Sequence, residues 1–216
     1  MMKMQNNFPY RLYLVTSEEA CMGRSLLEVV EAAVKGGVDL VQLREKNDGN
    51  EQFLGKALRL KKILDTYNVP LIINDNLWVA QQCQAYGIHV GNNDVSPLYI
   101  RENWPECQLL GYSLEYEKQL DTAETEASDY LGMSPIFATP TKTDTVTEWK
   151  LEGIRKIRKQ TYKPLVAIGA INEQNAFEVI RAGADCLAIV SAISAAEDPM
   201  AAAKNIRIQI EKALIS

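Results

Sequence analysis

Two cations and an amide occupy alternate positions at the end of an apolar segment early in the chain. Gln42, Arg44 and Lys46 are two residues apart, so their side chains share one side of an extended chain. Guanidinium and ammonium groups bind phosphate oxygens through charge-assisted hydrogen bonds, so this spacing suits a diphosphate. The alternative is that one of these cations faces solvent while the other forms a surface ion pair with Glu45 or Asp48.

Carboxylates follow the next two apolar segments. Asn74 and Asp75 come directly after a run of Leu and Ile, and Asp94 follows the segment GIHVGNN. Because burying an unpaired carboxylate is costly, each aspartate needs a partner. Two carboxylates opposite Arg44 and Lys46 suit Mg²⁺, which prefers oxygen ligands and bridges carboxylates to phosphates. The alternative is that each aspartate caps a following helix.

A segment rich in hydroxyl groups lies in the second half of the chain. Thr139, Thr141 and Lys142 belong to ATPTKTDT, which has no bulky apolar residue. A lysine flanked by hydroxyl groups suits a phosphate monoester or a departing pyrophosphate. The alternative is an ordinary surface loop.

Two polar residues in the middle of the chain have less obvious roles. His89 is the only histidine and has apolar neighbours, so we expect a packed, hydrogen-bonded core residue. Ser113 ends an apolar segment without the His and Asp partners of a serine nucleophile. We therefore expect Ser113 to form a hydrogen bond with a ligand.

Eight short apolar runs, which must position these residues, alternate with helical patterns. Apolar residues three and four apart predict helices over 25–37, 50–68 and 172–183, the last two with Asn50 and Asn172 as possible caps. A terminal helix is expected from Ser194 onward, with Pro199 in its first turn. The predicted strands cover 11–16, 39–45, 70–75, 87–91, 108–113, 130–137, 164–171 and 186–193.

This regular alternation favours an α/β fold in which residues 1–216 form a single (β/α)₈ TIM barrel, with residues 1–10 as an extension and 194–216 as a closing helix. An open, doubly wound sheet is the alternative, but the first strand is not followed by a G-x-G-x-x-G sequence. Catalysis in barrels occurs at the carboxyl ends of the strands.

The ends of the last two predicted strands add a second candidate anion site. Barrels frequently bind phosphate through backbone amides after strands seven and eight. In this chain the corresponding residues are Gly169, Ala170, Val190 and Ser191. Two separate anion sites are therefore expected on one face of the barrel.

Composition excludes several other classes of protein. A formal net charge of −5 provides no basic surface for nucleic acid. The four cysteines are far apart and contain no C-x-x-C pair, so we expect reduced thiols and no zinc site. No apolar run approaches the roughly 18 residues that cross a membrane, and the first ten residues lack the apolar core of a signal peptide. We expect a cytoplasmic protein; whether it forms a homo-oligomer stays open.

Seven segments together resemble the thiamine phosphate synthase family. They are QLREK, IND, GIHVGNND, GYS, SPIFATPTK, VAIGAI and IVSAI, and the resemblance extends from Leu12 to about Pro199. It implies a TIM barrel that condenses 4-amino-2-methyl-5-hydroxymethylpyrimidine diphosphate with a thiazole phosphate. In the family's dissociative mechanism, pyrophosphate departs and the thiazole nitrogen attacks the resulting pyrimidine methylene cation.

The resemblance also implies roles for the candidate residues. The pyrimidine diphosphate would contact Gln42, Arg44, Lys46 and Asn74. Mg²⁺ on that diphosphate would be bound by Asp75 and Asp94. Ser113 and Lys142 would contact the pyrimidine or the pyrophosphate, and Arg44, Lys46 and Lys142 would stabilise the leaving group. The thiazole phosphate would be held by Thr139, Thr141 and the backbone amides of Gly169, Ala170, Val190 and Ser191.

Four positions depart from the family's usual sequence. Asn76 replaces an arginine, Asn92 replaces a glutamine, and Ser134 and Ala170 replace glycines. Ala170 is the most important departure: if this position requires positive φ or the close approach of a phosphate, its methyl group introduces strain and crowds the ligand.

Two alternatives to a synthase remain. A thiazole tautomerase of the same superfamily would need a histidine in the sixth-strand region, where this chain has Pro135. A non-catalytic binder of thiamine phosphates is suggested by Asn76 and Ala170.

Overall fold

Eight parallel strands form a closed barrel in the computed structural model, which describes residues 8–138 and 147–216. Each strand pairs with its neighbours in chain order, and the first pairs with the eighth. The strands are Leu12–Thr16 (β1), Leu40–Leu43 (β2), Leu71–Asn74 (β3), Gly87–Val90 (β4), Leu109–Leu114 (β5), Tyr130–Met133 (β6), Leu165–Ile168 (β7) and Cys186–Ile189 (β8). The predicted fold class is confirmed.

Helices follow the strands and cover the outside of the barrel. They are Leu26–Lys35 (α1), Asn50–Thr66 (α2), Leu77–Gln82 (α3), Pro97–Asn103 (α4), Ala123–Ala127 (α5), Lys150–Arg158 (α6), Ala176–Arg181 (α7), Ser191–Ser194 (α8) and Pro199–Ile215 (α9). Short 3₁₀ turns occur at Glu19–Cys21 and Glu117–Asp121. Among the described residues no helix is long and apolar enough to cross a membrane.

Several predicted boundaries were wrong. The sixth and seventh strands end at Met133 and Ile168 instead of at residues 137 and 171. The eighth strand ends at Ile189, and the short helix α8 takes the place of its predicted last residues. The terminal helix α9 begins at Pro199, because the Asp198 side chain accepts a hydrogen bond from the backbone N–H of Ala201 and starts the helix there. Residues 172–175 form a turn, in which the Asn172 side chain accepts from Gln174 N–H, and α7 follows it.

Apolar side chains fill two layers. The larger layer lies between the strands and the surrounding helices, and the smaller one lies inside the barrel. Because both faces of each strand are covered, the strands are apolar on both sides, as expected for a parallel sheet. The four cysteines are buried as free thiols.

Aromatic side chains pack into the interior at the amino end of the barrel. Phe8 is buried inside the barrel and contacts Tyr10 and Tyr130, with ring centroids 5.2 and 5.5 Å away. Tyr10 in turn contacts Tyr86 at 6.4 Å. The end of the predicted N-terminal extension is therefore part of the barrel core.

Three aspartates share one arrangement at this amino end. Each aspartate directly precedes an even-numbered strand and forms two hydrogen bonds with one residue of the previous strand. Its backbone N–H donates to the carbonyl of that residue, and its carboxylate accepts the backbone N–H of the same residue. An arginine from a covering helix pairs with each carboxylate. The three sets are Asp39 with Leu12 and Arg207, Asp129 with Leu110 and Arg101, and Asp185 with Leu165 and Arg158.

Candidate active site

A cavity of about 220 Å³ opens at the carboxyl ends of β1–β8. Strand ends from across the sequence converge there because all strands of the barrel run the same way. Of the residues predicted for the diphosphate and metal half of the site, the seven that the structure describes all line this cavity. They are Gln42, Arg44, Lys46, Asn74, Asp75, Asp94 and Ser113.

The cations of this cavity are not neutralised by the carboxylates that neighbour them in sequence. Glu45 and Asp48 pair instead with the buried Lys56 of α2, at 3.4 and 2.7 Å. In the described residues Arg44 and Lys46 form no ion pair, and both line the cavity. The surface ion pairs considered from the sequence are therefore absent there, and positive charge faces the cavity.

Asp75 and Asp94 lie side by side at the ends of β3 and β4. Burial raises the pKa of Asp75 to about 7, assisted by repulsion from Asp94 and a hydrogen bond between the two carboxyls, while Arg44 and Asn74 act in the opposite direction. Asp94 also accepts a hydrogen bond from the Gly91 backbone N–H at 2.8 Å. Neither aspartate provides the side-chain cap of a helix, which was the alternative interpretation.

Ser113 has a histidine partner that the sequence did not indicate. Its Oγ lies 3.1 Å from Nε2 of His89, whose Nδ1 lies 3.0 Å from the hydroxyl of Tyr130. The expectation that Ser113 has no histidine partner was therefore wrong. Because the other imidazole nitrogen meets the Tyr130 hydroxyl, the arrangement differs from a serine-protease triad.

A second cavity of about 440 Å³ adjoins the first at the ends of β1, β7 and β8. It is lined by all four residues predicted to offer backbone amides to a phosphate: Gly169, Ala170, Val190 and Ser191. Residues common to both cavities are Val15, Arg44, Ser134, Ile168 and Ala188. The barrel thus presents two adjoining cavities with Arg44 at their boundary.

The backbone of this second cavity adopts positive φ at two consecutive residues. Gly169 has φ +116°, and a Cβ atom there would lie 2.7 Å from Cβ of Pro135, so glycine is required by close approach. Ala170 has φ +49°, a conformation that is strained for a residue with a side chain. The Asn175 side chain donates to the Ala170 carbonyl at 3.0 Å and helps to hold this turn.

The other departures from the family sequence have visible structural roles. Asn76 caps α3 by accepting from the Val79 backbone N–H, and its amide donates to Asn50 on α2. Asn92 accepts hydrogen bonds from Tyr112 and Gln119. Ser134 lines both cavities.

The hydroxyl-rich segment lies outside the described residues. Thr139, Thr141 and Lys142 fall within 139–146, so their predicted contacts with the pyrophosphate and the thiazole phosphate stay predictions.

Sequence reasoning missed several polar residues of the first cavity. Tyr13, Tyr130 and Glu115 line it, and His89 does so as well instead of lying wholly inside the core. The sequence did contain a signal for Tyr13: it lies within an apolar strand at a position whose side chain faces the inside of the barrel.

Comparisons with known proteins agree on one family. A family model described as thiamine monophosphate synthase matches residues 12–193. Thiamine-phosphate synthase of Albidiferax ferrireducens is 49% identical over 93% of this chain and 92% of that protein, and the enzyme of Vibrio campbellii is 45% identical over 90% and 95%. The solved structure of thiamine phosphate pyrophosphorylase from Pyrococcus furiosus superposes with a TM-score of 0.85 at 31% identity, covering 95% of this chain and 97% of that one. The chain therefore belongs to the thiamine monophosphate synthase family.

Proposed function

We propose that this protein is a thiamine-phosphate synthase, which joins a pyrimidine diphosphate to a thiazole phosphate and releases pyrophosphate. The observation that carries the proposal is the pair of adjoining cavities at one face of the barrel. One is lined by Arg44, Lys46 and a carboxylate pair, and the other is bordered by the backbone of two strand ends. This arrangement fits two phosphorylated substrates whose reacting atoms must meet near the boundary.

The first cavity supports departure of the pyrophosphate. Arg44 and Lys46 place positive charge where negative charge develops on the leaving group, which stabilises the departing pyrophosphate. Gln42 and Asn74 orient the diphosphate half of the substrate. No nucleophile or general base is needed, because the pyrimidine methylene cation reacts directly with the thiazole nitrogen held in the second cavity.

The carboxylate pair fits a divalent metal ion. Two carboxyls in contact, one with a pKa raised to about 7, need a countercharge when both are ionised. Oxygen ligands from only two carboxylates, completed by substrate phosphate oxygens, are typical of Mg²⁺. Asp75 and Asp94 would hold the ion, which when bound would help to neutralise the charge of the departing pyrophosphate.

The compartment and substrates follow from the same features. Four buried free thiols suit the reducing cytoplasm, where we place the reaction. The partners in this proposal are small phosphorylated molecules. A net charge of −5 does not favour binding to nucleic acid.

The direct test is a coupling assay with purified protein, Mg²⁺ and both phosphorylated precursors. We expect equal amounts of thiamine phosphate and pyrophosphate, and loss of both products when EDTA replaces Mg²⁺. Conversion of a thiazole tautomer without any pyrimidine substrate would instead establish a tautomerase. Binding of thiamine phosphate without turnover would establish the non-catalytic binder.

A further inference from the structure

Five polar side chains form a continuous hydrogen-bonded chain through the interior of the barrel. The Gln42 amide donates to the Tyr13 hydroxyl at 2.7 Å, and the Tyr13 and Tyr130 hydroxyls are 3.1 Å apart. Tyr130 then meets Nδ1 of His89 at 3.0 Å, and Nε2 of His89 meets Ser113 at 3.1 Å. The chain connects β2, β1, β6, β4 and β5, and both of its ends line the first cavity.

The surrounding backbone makes room for this chain. A Cβ atom on Gly111 would lie 2.3 Å from Nδ1 of His89 and 2.3 Å from the Tyr130 hydroxyl, and one on Gly132 would lie 2.9 Å from Cε1 of His89. The His89 and Tyr130 rings stack with centroids 5.5 Å apart at 26°. Two glycines on neighbouring strands thus hold the imidazole in one place and orientation.

The order of donors and acceptors gives the chain a direction. Burial raises the pKa of Tyr13 and of Tyr130, so both hydroxyls keep their hydrogens. Tyr13 already accepts from Gln42, which leaves its hydrogen for Tyr130, and the hydrogen of Tyr130 is left for Nδ1 of His89. An imidazole nitrogen that accepts carries no hydrogen, so in the neutral ring the hydrogen is on Nε2 and is donated to Ser113.

The opposite direction would leave a buried donor without a partner. If Tyr130 donated to Tyr13, the Tyr13 oxygen would accept twice. Its own hydrogen would then have no acceptor, because Gln42 and Tyr130 are the partners of this hydroxyl within the described residues. Tyr13 is 1% exposed, and an unsatisfied buried donor costs about 1–3 kcal/mol. The amide orientation of Gln42 therefore decides the direction of the whole chain.

We infer that His89 is a positioning residue, held as the Nε2–H tautomer, that donates to Ser113 and thereby turns the Ser113 hydroxyl hydrogen toward the first cavity. Ser113 then recognises a hydrogen-bond acceptor on the ligand, such as a ring nitrogen or a phosphate oxygen. The role in catalysis rests on the proposed function, whereas the tautomer is a property of the ligand-free protein.

The tautomer is directly measurable because His89 is the only histidine in the chain. A two-bond ¹H–¹⁵N correlation spectrum of ¹⁵N-histidine-labelled protein at pH 8 contains one imidazole. We expect an acceptor-type shift for Nδ1 and an N–H-type shift for Nε2. The reverse assignment, two N–H-type nitrogens, or one averaged shift for both would overturn the inference without any variant.

A matched pair of variants tests the link to Ser113. Tyr130→Phe keeps the ring and removes the hydroxyl that donates to His89, so we expect mixed tautomers and a fall of about 5- to 10-fold in kcat/KM for the pyrimidine diphosphate. The KM for the thiazole phosphate should not change. Tyr10→Phe is the control, because it removes a tyrosine hydroxyl at the amino end of the barrel. Equal effects of the two variants, or an unchanged tautomer in Tyr130→Phe, would contradict the proposal.

Two substitutions of His89 distinguish a role in positioning Ser113 from a role in packing alone. His89→Gln retains an amide near the place of Nε2, whereas His89→Asn retains one near Nδ1. We expect Gln to keep more activity than Asn, and the reverse order would contradict the proposal. If wild-type protein makes no thiamine phosphate although the Nε2–H tautomer is observed, the proposed function is wrong. The assigned direction of the hydrogen-bonded chain is then still correct.

Discussion

Asp75 combines a left-handed backbone with a carboxyl group that has lost part of its hydration. Its φ is +61°, and burial together with Asp94 raises its pKa to about 7. The unfolded chain loses this proton near pH 4, so between about pH 4 and 7 the folded protein holds a proton that the unfolded chain has lost. Stability therefore falls as the pH rises through this window, and above pH 7 the whole cost is present.

We predict that Asp75→Asn raises the stability of the metal-free protein while abolishing Mg²⁺-dependent turnover. Asparagine tolerates positive φ, so the variant removes charge without adding backbone strain. Allowing for partial exposure and the opposing effect of Arg44, the gain is on the order of 1 kcal/mol, which raises Tm by roughly 2–4 °C at pH 8. The gain should shrink as the pH falls from 7 to 4. Thermal melts at several pH values with the coupling assay test this, and full activity of the variant would refute the metal assignment.

Ala170 carries the strain of the second cavity. Its φ of +49° costs an alanine about 1–2 kcal/mol, whereas a glycine loses about 0.5–1 kcal/mol through its freer unfolded state. Relief of strain therefore exceeds the entropic cost by a small margin. Because Ala170 also lines the cavity, its methyl group restricts the space beside the backbone amides.

We predict that Ala170→Gly increases stability by about 0.5 kcal/mol and lowers the KM for the thiazole phosphate by roughly twofold. Ala195→Gly is the control, because Ala195 lines the same cavity at φ −98° and has no such strain to relieve. Denaturant melts and initial rates at saturating pyrimidine diphosphate measure the two effects. A higher KM in Ala170→Gly would show that the methyl group contributes to the phosphate site.

At the scale of elements, helix α2 holds the loops that carry the cations. Lys56 is 5% exposed and pairs with Glu18 after β1, at 2.7 Å, as well as with Glu45 and Asp48 after β2. Burial lowers the pKa of Lys56, but its hydrogen bonds with Asp48 and Glu18 outweigh this effect and the net pKa is raised. One ammonium group thus fixes the loop that contains Lys46.

We predict that Lys56→Met destabilises the protein by about 3 kcal/mol and raises the KM for the pyrimidine diphosphate, because carboxylates lose their buried partner and the loop moves. Lys61→Met on the same helix is the control: its pair with Asp65 is exposed and contributes less than about 0.5 kcal/mol. Chemical denaturation measures the loss of stability in each variant, and steady-state kinetics measures the KM for the pyrimidine diphosphate. Equal losses in both variants would refute the role of the buried cluster.

The order of strands and helices could be predicted because most strand residues are apolar on both faces of the sheet, and this pattern is local. Helix starts were less predictable where one hydrogen bond decides them, as Asp198 does for α9. Arg44, Lys46, Asp75 and Asp94 could be assigned to one face because parallel strands end together. The hydrogen-bonded chain could not be predicted, since the tyrosines Tyr13 and Tyr130 meet across 117 positions of sequence.

At the scale of the whole molecule, the two ends of the barrel have different tasks. The carboxyl ends carry cations that form no ion pair within residues 8–138 and 147–216, a carboxylate pair and strained backbone, all of which cost stability. The amino ends carry the three aspartates that join odd strands to even strands, each neutralised by an arginine from a covering helix. Substitutions at the amino ends should therefore alter stability and leave substrate binding unchanged.

We predict that Asp185→Ala shows this separation. Its carboxylate accepts from the Leu165 N–H and from Arg158, both at 2.8 Å, so its loss leaves a backbone donor and a cation without their partner. We expect a loss of about 2 kcal/mol, a fall in Tm of roughly 4–8 °C, and unchanged KM for both substrates at 25 °C. Asp65→Ala, which removes an exposed carboxylate on α2, should change neither quantity. If KM instead rises together with the fall in Tm, the two ends of the barrel are coupled through β7 and β8. The geometry of the second cavity then depends on the contacts of Asp185 with Leu165 and Arg158 at the opposite end.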